Sequence, residues 1–147
     1  MKSKEQYKSK KRDASTLGAE LSLTESMLLA QEKSVGNTVL LIRGRGMGEG
    51  DPEFGEHLLQ TYFRALQEMV DLQGTVILYQ EGVKVLQEEH PARATLLSLI
   101  RPGLDLRVCR RSLNHYKIAN ISEEKVIVSS MMDIACCIDE ADKVITL

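Results

Sequence analysis

The chain is poor in aromatic residues: no tryptophan, two phenylalanines and four tyrosines in 147 residues. They are not interleaved with basic residues, so no stacking platform for single-stranded nucleic acid is expected. The formal net charge of −2 gives no global case for a nucleic-acid partner either. Only the tail MKSKEQYKSKKR is strongly basic, and such a run reads as a solvated segment. No stretch approaches the roughly 18–20 apolar residues of a membrane span. No continuous apolar core follows the basic start, so a signal peptide is not expected. Three cysteines, Cys109, Cys136 and Cys137, make no CxxC pair and no zinc-knuckle spacing. An odd number of thiols without a signal points to a reducing, cytoplasmic setting. No Ser-His-Asp grouping, paired-carboxylate site, metal cluster or cofactor motif stands out, so neither a metal nor a cofactor is expected.

What is present is an alternation of strand-like and helix-like segments. The length suits one ordinary domain. Residues 1–36 read as a basic tail plus a short helix, and 37–147 as one domain. In SLTESMLLAQEKSVG, Ser22 and Glu25 have capping-box spacing, Met27, Leu28 and Leu29 are apolar, and Gly36 provides a stop. From Asn37, TVLLI, TVILY, LDLRVC, KVIV and KVITL read as five strands, the first a continuous apolar run of the kind covered on both faces. Between the first two, Phe54, Leu58, Tyr62, Ala65, Leu66, Met69 and Val70 mark a helix with that stripe toward the sheet, capped by Asp51 and opened by Pro52. Helices are also expected over residues 92–101 and in SMMDIACCIDEA. The order predicts an α/β fold with a parallel, doubly wound sheet.

Four glycines, Gly44, Gly46, Gly48 and Gly50, fall between the first strand and that helix. A helix start after a strand attracts anions. The spacing fails GxGxxG at its third glycine, and no Gly-Lys-Ser/Thr is present. Glu49, Asp51 and Glu53 bring negative charge where a phosphate would sit, and Arg43 and Arg45 offset it only in part. The loop therefore reads either as a small-molecule or nucleotide site or as a turn that lets backbone approach a neighbouring loop. If φ at Gly48 is positive, a β-branched replacement there should disturb folding or access.

Cys109 ends a strand and precedes a helical turn, on the sheet edge where ligands bind parallel sheets. Arg110, Arg111 and a helix start would favour a thiolate there, the nucleophilic form. The competing reading is a small apolar plug. His115 reaches Cys109 only if its loop folds back. Cys136 and Cys137 read as core residues of an apolar helix with Met131, Ile134 and Ile138. On these grounds Cys109 is expected to be the most reactive thiol.

GMGEGDPEFGEHLL after the first strand, TVILYQEGVKVL, LRVCRRSLNHY and EADKVITL together resemble the DsrE-like superfamily. The nearest resemblance is to the C-terminal domain of YedF-type sulfurtransferase-like proteins, linked to selenium metabolism. It covers residues 37–147 in order, and its specificity lies in the ordered set. It implies a three-layer α/β/α sandwich with a mainly parallel five-stranded sheet. It also implies sulfur relay, with Cys109 taking sulfane sulfur as a persulfide and passing it to a partner. Gly46, Met47, Gly48, Gly50, Arg110, Arg111 and Ser112 would border that cysteine. YedF-type proteins usually have a second cysteine where this chain has Ser112, and they begin with a TusA-like domain for which residues 1–36 are too short. The sulfur donor or acceptor would then be a separate protein, TusA-like in kind, and the assembly a homo-trimer or hexamer. A non-catalytic binding or oligomerisation module on the same fold is the alternative.

Overall fold

Strands form where β-branched and leucine runs allow both faces of a sheet to be covered. The computed structural model describes residues 36–119, 121 and 124–147, which lie in the second of the two units into which the chain divides, Gly36–Leu147. The basic tail and the helix expected from Ser22 lie outside the described residues.

Five strands are present among the described residues: β1 (Asn37–Ile42), β2 (Gln73–Leu78), β3 (Leu104–Cys109), β4 (Val126–Ser129) and β5 (Lys143–Thr146). They pair in the order β4-β3-β2-β1-β5, every pair parallel. Helix α1 (Pro52–Gln67) joins β1 to β2. A 3-10 helix (Gln80–Leu86) and α2 (Arg93–Leu99) join β2 to β3. The short α3 (Arg110–His115) follows β3, and α4 (Met131–Glu140) carries the chain from β4 back to β5.

Residue alternation along each strand separates two cores. Leu40, Ile42, Val76, Leu78, Leu106 and Val108 point into the larger one, filled from α1, α2 and the 3-10 helix by Leu59, Phe63, Val83, Leu96 and Leu99. Val39, Ile77 and Cys109 point the other way, against Ile134 of α4. The unit Gly36–Leu147 is thus a three-layer α/β/α sandwich, as the family resemblance implies. The second core is small because one helix alone supplies it among the described residues.

Helix α1 corrects one expectation. Its buried residues are Gly55, Leu59, Phe63 and Leu66, whereas Phe54 is 60% exposed and Leu58, Ala65, Met69 and Val70 are also exposed. Two apolar stripes lie side by side on this helix, and the inner one is offset by one residue from the stripe read in sequence. Asp51 caps the helix, its Oδ1 accepting from the Glu53 and Phe54 amides at 3.0 and 3.4 Å. Partial burial raises the Tyr62 phenol above its ordinary pKa by desolvation. Helix α4 opens on a capping box: Ser130 Oγ accepts from the Asp133 amide at 3.2 Å, and Asp133 accepts from the Ser130 amide at 3.4 Å. No described helix is long and apolar enough to cross a membrane.

Candidate functional site at the carboxyl edge of the sheet

A parallel sheet brings the loops after all its strands to one edge. There the glycine stretch after β1 folds back onto α1. The Met47 amide donates to Gly55 O at 2.9 Å. Gly46 lies so close to α1 that a Cβ would stand 2.6 Å from the Gly55 carbonyl carbon. Gly48 and Gly50 take positive φ, +75° and +122°, which glycine alone adopts without strain. The glycines therefore serve close approach at one position and backbone reversal at two others.

Side chains fasten the loop. Arg45 Nε donates to Glu56 Oε1 at 2.7 Å. The buried His90 bonds the Arg45 carbonyl through Nε2 at 2.6 Å and accepts from the Ala92 amide at Nδ1 at 3.1 Å. An amide only donates and a carbonyl only accepts, so His90 must carry its proton on Nε2. At the start of α1, the carboxylate of Asp51 already occupies two of the first-turn amides. A phosphate drawn to that helix end would meet an anion in place.

Between the glycine loop and the 3-10 helix lies a cleft of about 630 Å³, walled by Arg43, Gly46, Gly48, Tyr79, Gln80 and Tyr116 among others. Gln80 holds φ +51°, an uncommon region for a residue with a side chain. Two bonds keep it there. Its amide donates to Ser112 Oγ at 2.9 Å, and Tyr116 Oη donates to its Oε1 at 2.8 Å. Lys84 Nζ sits 4.8 Å from the Tyr116 ring centroid. Arg43 faces the cleft with Glu49 and Glu81, so the lining is mixed in charge.

Cys109 is 2% exposed and packs with Val39, Ile77 and Ile134. It caps α3 through its backbone only. It does not line the cleft. Tyr79 touches both, packing on the Cys109 cluster and walling the cleft. Of the residues expected around the cysteine, Gly46 and Gly48 line the cleft, Met47 packs on the larger core, and Gly50 turns the chain into α1. Ser112 faces Gln80 rather than a sulfur, and Arg110 and Arg111 are exposed. His115 stacks edge-on against Tyr116, ring centroids 4.8 Å apart.

The other thiols correct a second expectation. Cys136 is exposed and Cys137 half-buried, not packed away. Only Ile134 of α4 is buried, because a single helix lying on a sheet turns one narrow stripe inward. On access alone, Cys136 precedes Cys109 toward alkylating reagents. No group of three or more His, Cys, Asp or Glu side chains that could hold a metal ion occurs among the described residues. Sequence reading missed Tyr79, Gln80, Tyr116 and His90. Alternation along TVILY was the available signal for Tyr79, which shares a face with Ile77.

The model of the DsrE/DsrF-like family matches residues 50–147. Among solved structures, the ychN protein from E. coli is similar over 76% of this chain and 99% of its own, at 17% identity and a TM-score of 0.56. A protein of unknown function from Methanobacterium thermoautotrophicum has the same coverage and TM-score at 22% identity. A conserved protein of unknown function from Bacteroides thetaiotaomicron gives 12% identity and 0.55, over 76% of this chain and 95% of its own. At these identities the likeness is one of fold. No curated protein matches the sequence.

Proposed function

Since the chain belongs to the DsrE/DsrF-like family, we propose that it carries sulfur on Cys109. One observation supports this most: Cys109 is the last residue of β3 and the cap of α3, at the ligand-binding edge of a parallel sheet. In this reading the Cys109 thiolate attacks the outer sulfur of a donor persulfide, R–S–SH. The new S–S bond forms as the donor's S–S bond breaks, and the donor leaves as R–S⁻. Cys109 then holds –S–SH, with no net oxidation or reduction. An acceptor thiolate repeats the exchange and frees Cys109. The donor and acceptor are separate proteins, one of them TusA-like in kind. A place beside the YedF-type proteins of selenium metabolism belongs to the same proposal.

Incubating the protein with a sulfane-sulfur donor and weighing it intact tests this. A gain of about 32 Da per sulfur is expected, lost in Cys109→Ser and kept in Cys136→Ser. No gain in the unaltered protein refutes sulfur carriage. It then favours a second reading, a small-molecule-binding module, which the 630 Å³ cleft supports because Cys109 does not line it.

Assembly into a homo-trimer or hexamer is part of the proposal. Met131, Met132, Ile138, Ile127, Val128 and Val144 remain exposed on α4, β4 and β5. Each such side chain fully buried against another copy would contribute about 1.5–3 kcal/mol before ordering costs. Light scattering at micromolar concentration should give a mass of at least three chains. A monodisperse 16.5 kDa species would exclude assembly.

A further inference from the structure

Arg107 lies two residues before Cys109 on β3 and on the same face of the sheet, since Leu106 and Val108 point into the opposite core. Its Nε is buried and has no hydrogen-bond partner. Its Nη1 donates to Ser129 Oγ at 3.1 Å. Ser129 is fully buried and stands directly opposite Cys109 in the β3–β4 register. The guanidinium is thus tied to the residue beside Cys109. No Asp or Glu pairs with it among the described residues.

A partly buried cation with neither a carboxylate nor a full set of hydrogen bonds is costly. Orphaned buried donors of this kind call for a partner. The Cys109 sulfur is the group of matching sign that the site itself generates, once it is deprotonated or carries an outer sulfur. A persulfide carries its charge on that outer atom, about 2 Å beyond Sγ. It therefore reaches further toward neighbouring side chains than a bare thiolate does.

We infer that Arg107, oriented by Ser129, is the positioning residue that holds the anionic sulfur of Cys109. It makes and breaks no bond; it supplies a fixed positive charge and a free N–H. This inference rests on Cys109 as the working thiol. It replaces Arg110 and Arg111, which are exposed and screened by solvent. Arginine suits the task because its charge is permanent and its donors diverge in a fixed fork.

The test compares alkylation of Cys109 in the full chain by iodoacetate, an anion, and iodoacetamide, which is neutral. Both reagents need the same opening of the buried thiol and the same thiolate, so packing changes cancel in the ratio of their rates. Arg107→Gln should lower the iodoacetate-to-iodoacetamide ratio roughly fivefold or more. Arg107→Lys should restore most of it. Ser129→Ala, which keeps the charge and releases its tether, should lower the ratio by a smaller factor, and it supplies a reading even where Arg107→Gln fails to fold. A ratio unchanged in both Arg107→Gln and Ser129→Ala, or one that Arg107→Lys fails to restore, overturns the assignment. Sulfane-sulfur loading is followed in parallel. A protein that takes no sulfur, yet whose ratio falls as described, refutes sulfur relay and keeps the Arg107 assignment.

Discussion

Gly82→Ala is expected to cost about 2–4 kcal/mol of stability and to deform the cleft at the same time. Gly82 lies in the first turn of the 3-10 helix, packed directly on the end of β1. A Cβ there would overlap the carbonyl oxygen of Ile42, a backbone atom that cannot swing aside. The same oxygen accepts the Tyr79 amide at 3.1 Å. Overpacking typically costs about 1–3 kcal/mol, and loss of a backbone hydrogen bond about 0.5–1.5 kcal/mol more. Relief would come only by moving the 3-10 helix from the sheet, carrying Tyr79 and Gln80 with it. Gly48→Ala is the contrast. Nothing lies within 4 Å of its added methyl, so only the φ of +75° is strained. Such a position costs on the order of 1 kcal/mol. Urea denaturation of both variants provides the comparison. Equal losses would mean that the 3-10 helix does not depend on close approach to β1.

Tyr79→Ala should raise the rate of Cys109 alkylation by roughly ten- to a hundredfold, which corresponds to about 1.4–2.8 kcal/mol less opening free energy. A buried thiol reacts only from a locally opened state. The Tyr79 ring packs on the Cys109 cluster on one side and walls the cleft on the other. Removing it joins the two without touching the larger core. The rate of exposed Cys136 in the same sample gives an internal reference for reagent and pH, because its access needs no opening. If Cys109 stays as protected as before, the route to the sulfur runs elsewhere. The result bears on sulfur carriage, since a donor persulfide must reach the same atom.

The architecture was legible because each strand announces itself through composition. TVLLI and TVILY are short apolar runs bounded by polar or glycine residues, and LDLRVC alternates in the register the sheet adopts. Asp51–Pro52 marks a helix start by side-chain chemistry alone. The rotation of α1 was not legible. Phe54, Leu58 and Met69 form as good an apolar stripe as Leu59, Phe63 and Leu66, and local pattern ranks them equally. The contact of Gly55 with Gly46 and Met47 decides between them, and it is tertiary. The 3-10 helix was missed for a similar reason: QEGVKVL has no period long enough to separate it from a loop. At the site, strand-end placement of Cys109 was readable, but burial was not. Its exposure depends on Tyr79 and Ile134, residues 30 and 25 positions away in the chain.

The strand order also governs how the chain is made. The β1 strand lies between β2 and β5, so its outer edge waits for residues about 100 positions later. The Asn37 amide bonds Asp142 Oδ2, and the Asp142 amide returns a bond to the Asn37 carbonyl, across a separation of 105 residues. At about 5–20 residues per second, the ribosome leaves that apolar edge unpaired for on the order of 5–20 seconds. Pairings so distant in sequence raise the contact order and slow the closing step of folding. Throughout that interval β1 offers an open strand edge, the kind of template on which another nascent chain can pair.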